Sequence, residues 1–341
     1  MLKTDDRANE TSTTIGAGDL TLLGAVAKFF SLTANVPIGA IVQYGIVHQT
    51  LNEFELGIGY CSSATIFKRI FVTRSSNANA LVNFSAGTKD VFYSVLSDAL
   101  GFDDFGSNLK LVWEGSNAAA VTSYGGTLTF TGTATLRTPA STNSFTRKKR
   151  SGIVGAAVAA SLATMRATAG VNTFWFGDNT SLGGFIHKST FGCSDAAAVA
   201  GARQFSGMRN TAPTNVEPST DLNNIGVGHG AADTNLKIYW SGSVAQAPVD
   251  LGVNFPANTL SADIYQLILY QPAKDNTRVL YQVTRLNTGH IATGVLTGTT
   301  GTQLPATTIA LSPAVWRSNN ASTLAVGLDI FTGAVVDLST A

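Results

Sequence analysis

Polar and apolar residues alternate most clearly from Gly126 to Arg137 (GTLTFTGTATLR). Thr127, Thr129, Thr131, Thr133 and Thr135 hold one parity, and Leu128, Phe130, Ala134 and Leu136 hold the other. Successive side chains of a strand point to opposite faces, so the pattern predicts a half-buried strand with its threonines outward. Threonine suits that face because its branched Cβ fits the pleat while its hydroxyl stays in water. Gly132, on the inward parity, predicts a bulge or a close backbone approach. Strands are predicted also at Asp19–Val26, Ala40–Tyr44, Thr65–Thr73, Asp90–Leu96 and Leu109–Trp113. Further along they fall at Leu236–Trp240, Ile264–Tyr270, Val279–Leu286, His290–Leu296 and Leu324–Thr332. Ile264–Tyr270 (IYQLILY) is apolar on both parities, as expected of a strand covered on both sides. Turn-forming stretches such as Gly101–Asn108, Asn210–Asn224 and Gln271–Thr277 separate the strands. Many short strands divided in this way predict an all-β sandwich or barrel.

Helical periodicity is sparse. Gly155–Arg166 and Ser194–Arg203 are Ala-rich and each fits a short helix; Gly155–Arg166 fits equally a strand whose small side chains admit a neighbouring chain. No fixed-period repeat is visible. Asp98–Asn108 (DALGFDDFGSN) concentrates acid, Gly and Asn after a strand-like run. It predicts a boundary between a small β module, residues 1–105, and a larger β-sandwich, residues 106–341.

Charge changes the picture of the surface. Of the 341 residues 13% are charged, about half of the ~25% usual in soluble domains. The formal net charge of +1 and the 44% hydrophobic content exclude a disordered chain and argue against a protein that binds nucleic acid by bulk electrostatics. A Thr-, Ser-, Asn- and Gly-rich surface with little self-repulsion predicts association. Cys61 and Cys193 lie far apart without zinc spacing and are expected as buried thiols. No apolar core follows the polar start Met1–Glu10, and no window approaches a bilayer span, so folding in a cytoplasm without membrane insertion is expected.

Motifs for chemistry are few. Gly16-Ala17-Gly18 lacks the preceding strand and following helix of a phosphate cradle and predicts a plain turn. Arg147, Lys148, Lys149 and Arg150 form the concentrated basic run, able to contact an acidic or phosphate-bearing partner. A solvated loop, or pairing with neighbouring subunits, is the favoured reading. His48, His187, His229 and His290 show no zinc spacing. His229 with Asp233, and Asp178 with Asn179, offer oxygen ligands to calcium, but turn formation explains them better; no metal and no cofactor is expected. Glutamate occurs five times and never after Glu217, Asp103 and Asp104 diverge as neighbours in a turn, and no serine elbow is present. No catalytic residue is assigned. Trp175, Tyr239, Trp240 and Trp316 lie near polar turns, where a flat ring can stack on a sugar; the competing expectation is that such rings fill the core.

Two runs in the first module, Asp6–Val26 (DRANETSTTIGAGDLTLLGAV) and Glu53–Phe92 (EFELGIGYCSSATIFKRIFVTRSSNANALVNFSAGTKDVF), resemble a module of bacteriophage virion proteins, chiefly tail-fibre or minor structural proteins. The shared pattern from Glu53 is an aromatic-flanked Glu, a Gly-x-Gly, a strand ending in Arg, Ser-Ser-Asn and then NFSAGTKDVF. Phe29–Leu51 departs from that family's polar, Gly-rich form. In the second module RTPAST, FTRKKR, DLGVNFPANT and YQVTRLNTG are similar to runs in uncharacterised tail or head proteins. The resemblance implies a sandwich of jelly-roll or lectin-like type, and a virion protein made in the host cytoplasm. It implies virion attachment or oligomerisation through residues 1–105 and a homo-oligomer, by analogy a homotrimer. Its first implied role is host adhesion to surface polysaccharide, as a viral tail fibre or short spike. Alternatives are capsid decoration or a tail connector, and then a capsule depolymerase.

Overall fold

Strands dominate the computed structural model, which describes residues 5, 7–93, 109–117, 121–167, 173–178 and 182–339. Two units divide the chain, Met1–Phe105 and Gly106–Ala341. The first carries β1 (Asn9–Ser12), β2 (Leu20–Thr21), β3 (Val42–His48), β4 (Phe54–Ser63), β5 (Ile66–Ser75) and β6 (Lys89–Tyr93). They form one antiparallel sheet in the order β1-β6-β3-β4-β5-β2.

Glycine makes the β4–β5 pairing of that sheet possible. A Cβ added to Gly57 would stand 2.1 Å from the carbonyl oxygen of Phe71, and one at Gly59 would stand 2.2 Å from that of Lys68. Register shifts at both glycines mark bulges between β4 and β5, which sharpen the local twist. The Gly-x-Gly is therefore a packing requirement. Next to it Glu55 is wholly buried. It accepts from Tyr44 Oη at 2.7 Å, Val82 N at 2.7 Å and Arg69 Nη1 at 3.1 Å. Arg69 reaches on to the carbonyl of Gly18, at 3.1 Å from Nε and 2.8 Å from Nη2. Gly16-Ala17-Gly18 is thus the plain turn expected, held down by a guanidinium. The expected strand at Asp19–Val26 shrinks to β2. Gly24 turns at φ +104, and the buried carboxylate of Glu10 accepts from Gly24 N at 3.2 Å and Leu32 N at 2.8 Å, which bends the chain away.

The second unit opens with β7 (Leu109–Gly115), β8 (Val121–Tyr124), β9 (Leu128–Thr131), β10 (Thr133–Thr135), a helical turn α1 (Ser144–Arg147), β11 (Ser151–Val154), β12 (Leu162–Ala167), β13 (Phe174–Trp175), β14 (Phe185–Cys193) and β15 (Arg203–Arg209). There follow β16 (Asn224–His229), β17 (Lys237–Ser241), β18 (Val249–Asp250), β19 (Tyr265–Gln271), β20 (Arg278–Arg285), β21 (His290–Thr297), β22 (Ala310–Ser318) and β23 (Gly327–Asp337). Nine strands make one sheet, along β10-β11-β23-β14-β19-β20-β21 with β7 attached to β23 and β8 to β7. Eight make the other, along β18-β17-β16-β15-β22-β12-β9 with β13 attached to β22. The fold is an all-β sandwich. Phe185, Leu267, Val283 and Ile330 of the first sheet meet Met165, Met208, Val227 and Val315 of the second in one core. Ser189 and Ser206 join hydroxyls across it at 2.7 Å.

Three expectations change here. The run from Gly126 to Arg137 is two strands, not one. At Gly132, φ +98 and tight against Val154 O, the chain leaves the eight-stranded sheet as β9 and enters the nine-stranded sheet as β10. Both lie at sheet ends, so Leu128 alone of the inward set is buried. Ser194–Arg203 is not helical, because Asp195 is drawn into the core to meet Arg317 and the backbone N of Gly327. Gly155–Arg166 resolves toward the strand, β12, preceded by a turn. Ile264–Tyr270, as β19, is buried or half-buried throughout.

The core is pinned by Arg317, whose side chain is fully enclosed. Nε and Nη2 take the two oxygens of Asp195 at 2.8 and 2.5 Å. Nη1 donates to Gln204 Oε1 at 3.3 Å and His229 Nε2 at 3.1 Å, and Nη2 donates to Asn258 Oδ1 at 2.8 Å. All five N–H groups are engaged. Asp195→Ala would leave that cation buried and uncompensated; a loss of about 3–5 kcal/mol is expected, read as a lowered urea midpoint of tryptophan emission. In the first unit Gly57→Ala should abolish cooperative unfolding, whereas Gly18→Ala, where an added Cβ meets nothing within 4 Å, should leave the midpoint unchanged.

Candidate functional site

Alternation along the eight-stranded sheet sends Met165, Met208, Ile225 and Val315 into the core. The residues between them face outward. β22 orders that outer face. Trp175 stands opposite Ala310, Arg209 opposite Ser312, Arg166 opposite Ala314 and Phe205 opposite Trp316. On the far side of β15, Asn224 stands opposite Arg209. One end of the face therefore gathers Trp175, Arg166, Arg209 and Asn224, drawn from four strands.

Their environments differ. The Trp175 indole is 44% exposed. Arg209 and Asn224 are buried, and Arg166 is half-buried. The segment 210–223 folds beside them. Its Asp221 pairs with Arg209 Nη2 at 2.7 Å, and its carbonyl accepts from Ser241 Oγ at 2.9 Å. Glu217, on the same segment, accepts from Arg203 Nε at 2.8 Å. Burial raises the Asp221 carboxyl against the pull of Arg209. Burial also lowers Arg209; Asp221 pulls it part of the way back, and the positive charge of Arg166 adds a smaller downward push.

The sequence candidates separate accordingly. Trp175 is presented to solvent. Trp316 is wholly enclosed and stacks on Phe205, ring centres 6.4 Å apart. Tyr239 packs with both and bonds Asp233 and the backbone N of Gly230. Neither ring can receive a sugar: both point outward from the sheet but pack on each other and on Leu162. Trp240 is half-buried and packs on the inner core. The basic run is not one surface. Arg150 is buried, donates to Asp329 Oδ2 at 2.8 Å and lies 5.3 Å from the Phe145 ring centre. Intramolecular pairing replaces its expected subunit contact. Lys149 meets Glu114 at 3.3 Å in the open, and Arg147 and Lys148 are exposed.

The calcium alternatives are turns and braces. Asp233 binds Gly230 N at 2.7 Å and Lys237 Nζ at 2.6 Å; Asp178 adopts φ +60, and Asn179 lies outside the described residues. Among the described residues no group of three His, Cys, Asp or Glu side chains gathers. Cys61 and Cys193 are free and buried, and burial pushes both thiols up to about 11.

Arg166, Arg209 and Asn224 were not singled out from the sequence. The available signal was parity: Arg203 and Arg209 share a phase with Phe205 and Gly207 in RQFSGMR.

No family model and no curated protein matches the chain. Solved structures similar to it include peanut lectin, 11% identical over 62% of this chain and 90% of that one, with a TM-score of 0.41. Lectin II from Ulex europaeus is 12% identical over 62% and 92%, at 0.39. The Emp47p carbohydrate recognition domain is 12% identical over 68% and 97%, at 0.42. At such identities, with TM-scores below 0.5, the likeness carries no argument about binding.

Two buried imidazoles set the acid response. Burial pulls His187 down to about 3, and burial with the charge of Arg317 does the same at His229. Each is neutral when folded yet protonates near pH 6.5 when unfolded. The stability they contribute is whole above that pH and is lost as pH falls toward 3. Replacing His187 by Leu should flatten the slope of unfolding free energy between pH 4 and 6 by about 1.4 kcal/mol per pH unit, one proton's worth, in denaturant titrations.

Proposed function

We propose that this chain is a phage virion protein of the tail-fibre or short-spike kind. In this reading the second unit contacts host-surface glycan, and the first assembles identical chains, a trimer by analogy with phage fibres. The observation that carries the reading is the outer-face end of the eight-stranded sheet. There an exposed indole, Trp175, shares a face with buried polar side chains from three neighbouring strands. A ring for the apolar side of a sugar beside groups for its hydroxyls is the composition of a carbohydrate contact.

The first unit supplies the multiplicity. Among the described residues it exposes nine large apolar side chains, against eleven in the much longer second unit. Val47 and Phe54 pair across β3 and β4, with exposed Leu51 in the turn between them. An exposed apolar patch of this kind is a contact surface, and repeated weak sugar contacts on one particle add to firm attachment.

Free protein should block adsorption of the phage to its host, and Trp175→Ala should weaken binding to host cells roughly tenfold per site, about 1.4 kcal/mol. In light scattering the chain should run as an oligomer that Leu51→Glu with Phe54→Glu dissociates. Binding to emptied capsids with none to cells would overturn the adhesion reading.

A further inference from the structure

We propose that the recess formed by Arg209, Arg166 and Asn224 receives the carboxylate and adjacent hydroxyl of an acidic sugar, a hexuronate unit of a surface polysaccharide. This deepens the adhesion reading and rests on it.

At this end of the face several buried polar atoms find no partner among the described residues. Arg209 is fully buried, and its Nη2 serves Asp221 at 2.7 Å, Thr211 Oγ1 at 3.0 Å and the Ala212 carbonyl at 3.2 Å. Its Nε and Nη1 are buried and have no hydrogen-bond partner. Arg166 spends Nη2 on the Asn210 carbonyl at 2.8 Å, and its Nε has none. Asn224 is buried with both Nδ2 and Oδ1 unpartnered. A buried donor or acceptor left unpaired costs about 1–3 kcal/mol. Several such atoms at one place point to a partner that the described residues do not supply.

Register shows that they share that place. Arg209 and Arg166 flank β22 on opposite sides, two positions apart, and Asn224 is the direct cross-strand neighbour of Arg209. All three leave the same face. Among the described residues Asp221, paired with Arg209, is the carboxylate set against these two guanidinium groups, so the recess carries an excess positive charge. That excess selects an anion.

The kind of anion follows from the atoms on offer. Guanidinium N–H groups donate strong, charge-assisted bonds to carboxylate oxygens, here singly from Nε and Nη1 of Arg209 and Nε of Arg166. The Asn224 amide presents a donor and an acceptor whichever way it is turned. A simple inorganic anion would satisfy the donors and leave that acceptor empty. A carboxylate with a neighbouring hydroxyl satisfies both, which is the arrangement of a sugar acid. Arg166 is half-buried and Trp175 exposed, so the sugar would enter from their side. The indole then lies where the ring of the same sugar can rest.

Calorimetric titration of the full chain with galacturonate, glucuronate and mannuronate oligomers tests this, beside a neutral oligosaccharide of equal length and sodium sulfate at matched ionic strength. At least one uronate should bind ten or more times tighter than both controls. Arg166→Gln should remove most of that preference. Asn224→Asp should abolish uronate binding and raise the thermal midpoint, because an internal carboxylate then answers Arg209. Equal affinity for neutral and acidic oligomers, sulfate binding as tight as uronate, or uronate binding indifferent to both variants would each overturn the proposal. Neutral sugar bound through Trp175 without acid preference removes this inference and leaves adhesion standing. Uronate bound in the recess by protein that fails to attach to host cells removes the adhesion reading instead.

Discussion

A single guanidinium orders the sandwich. Arg317 sits where water cannot reach, and a buried cation is tolerated only when every donor is matched. Its partners come from a loop after β14, from β15 and β16, and from the segment before β19. The carboxylate of Asp195 also holds the first residue of β23 through Gly327 N. The nine-stranded and eight-stranded sheets are thereby fixed to each other by one charge network as well as by apolar packing. His229 accepts from Arg317 and donates to the Gly230 carbonyl, so it must stay neutral. Part of the acid sensitivity of the unit follows from the same cluster, and the rest from buried His187.

The first unit uses the same device on a smaller scale. Glu55 and Arg69 are buried together, and Arg69 gathers the carbonyls of Gly18 and Val82 from segments far away in sequence. A chain with few charges does not scatter them over its surface. It places several at the points where segments distant in sequence must be held, leaving threonine, serine and asparagine to face water. Arg137 and Arg150 converging on Asp329 repeat the pattern. Against that background, Arg209 and Arg166 are distinctive because their donors are not all matched.

Much of the fold was legible in the residues. The strand pattern located β5, β7, β17, β20 and β21 closely, and a short run apolar on both parities located β19, because strand residues write their burial into the local sequence. Strands such as β15 (RQFSGMR), β16 (NIGVGH) and β22 (ALSPAVWRS) were not read. Both of their faces are enclosed, so arginine, serine, glycine and histidine stand where a simple rule asks for apolar residues. The Ala-rich run at Ser194–Arg203 misled for a related reason: helix propensity is weak, and the demand of Arg317 for Asp195 overrides it.

The sequence alone determined the strand class, the turns and the poverty of charge, since each depends on neighbours within a few positions. It pointed to Gly16-Ala17-Gly18 as a turn and to the cysteines as buried thiols. Only the tertiary structure decided that Trp316 is enclosed while Trp175 faces solvent, and that Arg150 turns inward to Asp329. It also decided that Arg209, Arg166 and Asn224 share one face. The reason is distance along the chain. Arg317 and Asp195 are separated by 122 residues, and no local pattern records which buried charge will meet which partner once the sheets close.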